Sequence, residues 1–285
     1  MKNFLGKENS VESADDARTI VIPIPMEFST SYGKGTAQGP ASILEASPYL
    51  EFYDEELDFE AWKYGIYTVP EIVLNGKPEE YLNSIEQEVS SYLEQKKFIL
   101  VIGGEHSLSS AVHDACLKMY PNLSVLQFDA HSDLRDEYEG TKYSHACVMR
   151  RIWERNKNIV GVGIRSQCKE ERDFILENDI PIYYAHDITG RDFPDAIFDK
   201  LTNDVFITFD TDFFDPAIMP GVGTPEPGGF FWYETVSFLK NIFLKKNVVG
   251  MDVVEFSPIE NLTHPQFLLA KFIYKMIGYK INGQR

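Results

Sequence analysis

The sequence predicts a three-layer α/β/α fold around a central, mostly parallel sheet of about eight strands. Three observations carry this expectation. Short apolar, β-branched runs ending in Gly, Asp or Pro recur along the 285 residues. Segments with helical periodicity separate them, as repeated βα units around a parallel sheet require. No internal repeat, low-complexity tract or long linker breaks the alternation, so residues 1–285 read as one domain. Its first 16 residues are polar and terminus-like, and are expected to form a flexible segment.

In chain order, the strands are expected near Thr19–Ile24, Tyr64–Val69, Phe98–Ile102, Ser124–Phe128, Asn158–Gly163, Ile180–Tyr184, Val205–Phe209 and Val248–Val253. Helices are expected between and after them at Pro40–Ser47, Pro78–Glu94, Ser107–Met119, His145–Arg155, Lys169–Asn178, Tyr233–Leu244 and Pro265–Tyr279. Ser107 and Thr263 would open their helices, since a hydroxyl can accept from the free backbone N–H groups there. The loops after Phe128 and Phe209 are rich in Asp, Gly and Pro. In open α/β sheets, ligands bind at the carboxyl ends of the strands, so the chemistry is sought in those loops.

Composition narrows the class of partner. Hydrophobic content of 44% and charged content of 25% suit a globular chain long enough to bury a large core. There are 44 acidic and 27 basic residues, a net charge of −17. That excess repels a phosphate backbone, so no nucleic acid partner is expected, and it attracts metal ions and cationic substrates. It also serves solubility. Cys116, Cys147 and Cys168 are an odd set without metal-like spacing, which implies neither a disulfide framework nor a zinc-thiolate site. No apolar leader and no membrane-length apolar stretch is present, so a cytoplasmic location is expected.

The densest chemical signal is Asp129, His131 and Asp133 in Phe128-Asp129-Ala130-His131-Ser132-Asp133. If the strand end stays extended, period-two spacing puts all three on one face. Buried together, they need positive charge between them. Asp210 and Asp212 repeat the i, i+2 pattern after another apolar run, and His106 closes a third after Gly103-Gly104-Glu105. Either Asp cluster alone could be a helix cap or polar turn. Together, four carboxylates and two imidazoles can hold two divalent ions if two carboxylates bridge, and an oxygen-rich set without thiolate suits Mn²⁺. Two ions about 3.5–4 Å apart generate a bridging hydroxide at neutral pH.

These runs, with Ser144-His145-Ala146, Asp215-Pro216 and Gly223-Thr224-Pro225-Glu226-Pro227-Gly228-Gly229, resemble the arginase and agmatinase (ureohydrolase) family. The match runs in order from Ser31 to Glu255. The resemblance implies two Mn²⁺ ions per subunit, bridged by Asp129 and Asp210. His106 and Asp133 would complete one coordination sphere, and His131 and Asp212 the other. It implies that Glu255 binds the guanidinium, whose planar donor fork a carboxylate complements. His145 would shuttle protons or steady the substrate, as an imidazole can near neutrality. The metal-bridging hydroxide would attack the guanidinium carbon, and the tetrahedral intermediate would collapse to urea and an amine. The family further implies a homo-oligomer, trimer or hexamer. His113, His186 and His264 have no motif around them and read as structural or surface groups.

Among small cationic guanidino substrates, agmatine is the first expectation, giving putrescine and urea. Arginases carry a Thr-Asp-Ile-Asn-type continuation after the metal motif, where this chain has Leu134-Arg135-Asp136-Glu137-Tyr138-Glu139-Gly140. Acidic residues such as Glu137 or Glu139 would repel a carboxylate and favour an ammonium. The run Ser144-His145-Ala146-Cys147 departs from the Ser-His-Gly-Thr pattern of many agmatinases and resembles a subgroup for which longer substrates, such as aminopropyl-agmatine, are plausible. Guanidinobutyrate, arginine and formiminoglutamate are further alternatives. So are an amide hydrolase of the related deacetylase fold, whose tandem histidine pair is missing here, and a catalytically silent metal-binding homologue.

Overall fold

The computed structural model describes residues 2–72 and 76–283. All eight expected strands form: β1 (Thr19–Ile24), β2 (Ile66–Thr68), β3 (Phe98–Gly103), β4 (Ser124–Phe128), β5 (Ile159–Ile164), β6 (Ile182–Tyr184), β7 (Asp204–Asp210) and β8 (Asn247–Val254). They pair in the order β2-β1-β3-β8-β7-β4-β5-β6. Every pairing between them is parallel, so the sheet is wholly rather than mostly parallel.

The helices are α1 (Gly39–Ala46), α2 (Pro78–Leu93), α3 (Ser109–Met119), α4 (Val148–Arg155), α5 (Lys169–Glu177), α6 (Ala185–Ile188), α7 (Ala196–Asp199), α8 (Trp232–Lys245) and α9 (His264–Asn282). The seven longer ones match the expected segments. At four residues each, α6 and α7 are too short to show a helical period, and so went unanticipated.

Strand alternation sorts side chains into two cores. Leu100 and Ile102 of β3 and Ile207 and Phe209 of β7 face one core, shared with α1, α8 and α9. Ile99 and Val101 of β3 and Phe206 of β7 face the other, shared with α2, α3, α4 and α5. A strand buried on both faces has no polar side, which is why these read as unbroken apolar runs. The three cysteines are free thiols. Among the described residues, no helix is long and apolar enough to cross a membrane.

Two expectations need correction. The N-terminal segment packs against the body of the protein: Phe4 and Leu5 are fully buried. Phe4 N–H donates to Thr68 Oγ1 (2.9 Å) and Leu5 N–H to Ser47 Oγ (2.8 Å). Two adjacent apolar side chains, each worth about 1.5–3 kcal/mol on burial, outweigh the polar average that suggested a loose terminus. Neither Ser107 nor Thr263 caps a helix through its side chain. Ser107 lies in a 3₁₀ turn (His106–Leu108) ahead of α3 and its hydroxyl donates to Glu105 Oε1 (2.6 Å). Thr263 already has helical backbone angles, which turn it away from the capping geometry.

Candidate metal centre

The four central strands β3, β8, β7 and β4 are neighbours, and the segments leaving their carboxyl ends carry His106, Glu255, Asp210 with Asp212, and Asp129 with His131 and Asp133. This is the edge at which a parallel sheet presents its ligand-binding loops. After β3, Gly104 is required for space: a Cβ there would lie 2.1 Å from the carbonyl oxygen of Met26. Its N–H donates to Ile24 O (2.9 Å), and the next N–H, of Glu105, donates to Met26 O (2.7 Å). That zips the His106 turn onto the chain leaving β1.

Extended spacing does not place Asp133, contrary to the period-two reading. β4 ends at Phe128, His131 pairs only in an isolated bridge with Ser166, and Asp133 adopts a left-handed φ of 51°. Its carbonyl accepts from the N–H groups of Met149 (2.9 Å) and Arg150 (3.2 Å) at the start of α4. A non-glycine residue held there stores about 1–3 kcal/mol of strain. Glu255 is also left-handed, with φ 65°, where its N–H donates to Gly104 O (2.7 Å) and its Oε1 accepts from His106 N–H (2.7 Å).

The six carboxylate and imidazole groups converge. His106 Nδ1 lies 3.1 Å from Asp133 Oδ2, 3.3 Å from Asp129 Oδ2 and 3.4 Å from Asp210 Oδ2. His131 Nδ1 lies 2.9 Å from Asp212 Oδ2 and 3.7 Å from Asp129 Oδ1. Two overlapping triads result, His106/Asp129/Asp210 and Asp129/His131/Asp212, each compact enough to hold a cation, with Asp129 common to both. Asp133 abuts the first triad through His106 but stands outside both sets.

The electrostatics fit divalent cations. His106 Nδ1 is buried and makes no well-directed hydrogen bond, because three carboxylates crowd one nitrogen. Burial pushes Asp129 up to about 7, reinforced by Asp212 and Asp133 and opposed by His106. Burial and repulsion from Asp212 and Asp129 hold Asp210 well above the usual carboxylate range. Burial disfavours a charged His131, yet Asp212 and Asp129 overcome it and lift the imidazole to about 11. Glu255 rises to about 8 through burial and the neighbouring Glu105. Carboxylates that must take up protons to coexist, facing an orphaned imidazole nitrogen, have the donor chemistry that a pair of divalent ions satisfies.

Several supporting residues escaped the sequence reading. Gln127, Thr208 and Asp252 stand side by side in register across β4, β7 and β8, all buried, directly below the ligand loops. Gln127 Nε2 donates to Asp129 Oδ2 (2.8 Å). Thr208 Oγ1 donates to Asp252 Oδ1 (2.8 Å) and lies 2.8 Å from His106 Nε2. With its proton committed to Asp252, Thr208 can only accept from Nε2, which turns Nδ1 toward the carboxylates. A polar residue inside each of three apolar runs was the available signal.

Ser29 is a second omission: its hydroxyl donates to Glu105 Oε1 (2.7 Å) and accepts from His145 N–H (2.9 Å), with His145 Nδ1 at 3.2 Å. Glu171 braces the ligand loop, accepting from Ser132 Oγ (2.8 Å) and Leu134 N–H (2.9 Å). Asp215 Oδ2 accepts from the N–H groups of Gly228 and Gly229 (3.0 Å each), pinning the loop that carries Glu226.

A cavity of about 430 Å³ opens over the centre, its wall including His131, Asp133, Asp210, Asp212, His145 and Glu255. Glu137 and Glu139, expected to favour an ammonium, are exposed and lie outside this wall. Their loop instead presents Tyr138 and Arg135, the guanidinium lying 5.0 Å from the ring centroid and 3.9 Å from Glu171. Glu226 presents a partly exposed carboxylate on this wall, with Oε1 3.8 Å from His131 Nε2. His113, His186 and His264 lie outside the wall.

A model described as the arginase family matches residues 17–278. The chain is 40% identical over 293 residues to an N(1)-aminopropylagmatine ureohydrolase of Synechocystis sp., covering 100% of this chain and 95% of that protein. It is 36% identical over 263 residues to an agmatinase of Bacillus subtilis, covering 90% and 89% respectively. The crystal structure of the agmatine ureohydrolase of Thermoplasma volcanium superposes with a TM-score of 0.88 at 28% identity, covering 99% of this chain and 95% of that one.

Proposed function

This chain belongs to the arginase family, and on that premise we propose that it hydrolyses the guanidinium group of N1-aminopropylagmatine, releasing urea, at a centre of two Mn²⁺ ions. The observation that carries the substrate assignment is the 40% identity, over the full chain, to a protein of that name. Agmatine stands second, supported by relatives named agmatinase at 34% and 36% identity. An open cavity of about 430 Å³ with Glu226 on its wall suits an extended polyamine.

His106, Asp129, Asp133 and Asp210 would hold one ion, and Asp129, His131, Asp210 and Asp212 the other. When bound, the pair supplies activation of water at neutral pH and stabilisation of negative charge at the attacked carbon. Glu255 keeps Oε2 for the guanidinium, since its Oε1 is engaged by the His106 N–H. In its ionised form, that oxygen accepts from the guanidinium N–H groups and helps fix the carbon over the centre. His145 has its Nδ1 edge against Ser29 and Ser144, which leaves Nε2 to deliver a proton to the departing amine. Glu226 attracts the distal ammonium groups. The same reading places the enzyme in the cytoplasm as a homo-oligomer, trimer or hexamer, which light scattering of the purified protein tests.

The deciding experiment is urea release by Mn²⁺-supplemented protein on N1-aminopropylagmatine, agmatine, guanidinobutyrate and arginine. The expected kcat/KM is highest for aminopropylagmatine, exceeding agmatine by about tenfold, the scale at which one extra contact region discriminates. Equal or better turnover of arginine or guanidinobutyrate overturns the substrate assignment. No urea from any of the four overturns the enzymatic one.

A further inference from the structure

A second cavity, of about 340 Å³, lies at the opposite edge of the sheet and is lined by Arg18, Thr19, Lys96, Lys97, Asn247 and Lys280 among others. Thr19, Phe98 and Asn247 are the first residues of β1, β3 and β8, so this cavity sits at the amino ends of the strands that lead to the metal centre. The chain carries a net charge of −17, yet among the described residues four cationic side chains and no carboxylate line this wall.

Among the described residues, none of the four forms an ion pair. Lys97 Nζ donates to the carbonyls of Asp15 (2.9 Å) and Ala17 (2.7 Å). Lys280 Nζ donates to Asn247 Oδ1 (3.1 Å) and to the carbonyl of Val248 (2.7 Å). Each ammonium therefore lacks a carboxylate in direct contact among the described residues and has one of its three protons available. Arg18 rests on the Tyr64 ring, 5.3 Å from its centroid. Asp204 influences Lys280, but its Oδ1 is occupied by Asn247 Nδ2 (2.8 Å). Thr19 is 1% exposed, and its Oγ1 has no hydrogen-bond partner. A buried hydroxyl left unmatched beside ammonium groups that form no ion pair describes a site built for an anion that accepts several hydrogen bonds at once.

We propose that this cavity binds a small multivalent oxyanion of the phosphate class, held by Arg18, Lys96, Lys97 and Lys280 with the Thr19 hydroxyl donating to it. The site is separate from the substrate cavity, which calls for a cation. Burial, opposed by Asp204, pulls the Lys280 ammonium down to about 8, so an anion beside it also favours its charged form.

Thermal denaturation of the Mn²⁺-loaded protein, titrated with inorganic phosphate at constant ionic strength, tests the proposal. Wild type is expected to show a saturable rise in Tm. The R18Q/K96Q variant, altered only at exposed side chains, is expected to need at least tenfold more phosphate for half the effect, with its phosphate-free Tm unchanged. K280M removes the half-buried ammonium and should lose the response. Adenosine monophosphate acting at equal or lower concentration than phosphate would identify a phosphate ester as the ligand; a weaker response would identify the free ion. A rise that does not saturate, or one that is the same in wild type and R18Q/K96Q, overturns the proposal. Saturation with identical midpoints would place the ion elsewhere, the metal centre included.

Discussion

His106 Nδ1 and Asp133 Oδ2 lie 3.1 Å apart, although they follow β3 and β4, which two other strands separate in the sheet. The left-handed turn at Asp133 and the space at Gly104 bring them across that gap. An imidazole and three carboxylates held this close without a cation share protons, and the first expected consequence concerns those protons.

Binding of Mn²⁺ should release protons and tighten as pH rises. Without metal, Asp129 is raised to about 7 and Asp210 stands well above the usual carboxylate range, so both take up protons readily, and His131, raised to about 11, stays charged throughout. Ligation needs ionised carboxylates and neutral imidazoles. Affinity should therefore climb as pH passes through about 7, where Asp129 ionises, with Asp210 and His131 extending the rise. Calorimetry in buffers of different ionisation enthalpy reads the proton count directly; a pH-independent affinity with no proton release contradicts the proposed ligand set.

Thr208→Val removes the hydroxyl between His106 Nε2 and Asp252 Oδ1 at nearly constant volume. Losing such support under a ligand weakens metal binding by about 10–100-fold. Titration with Mn²⁺, alongside circular dichroism to verify the fold, checks it, and unchanged affinity would show that packing alone orients the imidazole.

Ser29→Ala breaks the link from Glu105 to His145 while leaving every proposed metal ligand in place. Expected is a fall in kcat of about tenfold, the effect of one lost orienting hydrogen bond of about 1.4 kcal/mol, with Mn²⁺ affinity held. Equal losses in both quantities would assign Ser29 to the architecture of the centre.

Glu226→Gln should raise KM for a polyamine substrate by roughly two- to five-fold, with kcat nearly unchanged, as befits a partly exposed charge. The effect should shrink in high salt. Steady-state kinetics at two ionic strengths measures both, and a KM insensitive to the substitution removes Glu226 from substrate attraction.

Lys275→Met tests the scaffold far from chemistry. Lys275 Nζ bonds both oxygens of buried Asp54 (2.9 and 3.0 Å) and Glu56 Oε2 (2.7 Å), tying α9 to the segment after α1. Removing one member strands the Asp54 charge, at a cost of about 3–5 kcal/mol. Urea denaturation should show that loss, and the additional change Asp54→Asn should recover part of it; a double variant less stable than the single one would contradict the account.

Read by itself, the sequence determined all eight strands, the seven longer helices and the segments that meet at the centre. Those features are local: a buried parallel strand must be apolar on both faces, and the polar residues at its carboxyl end then stand out in Asp129, His131, Asp210 and Asp212. Only the tertiary structure decided which side chains touch. The row of Gln127, Thr208 and Asp252 exists because strand order places β8 and β7 between β3 and β4. The burial of Phe4 and Leu5, the left-handed turns at Asp133 and Glu255, and Ser29 bridging Glu105 to His145 depend likewise on partners distant in the chain. Local propensity sets the period of a segment; contact between distant segments is set by close packing and by the need to satisfy every buried polar group.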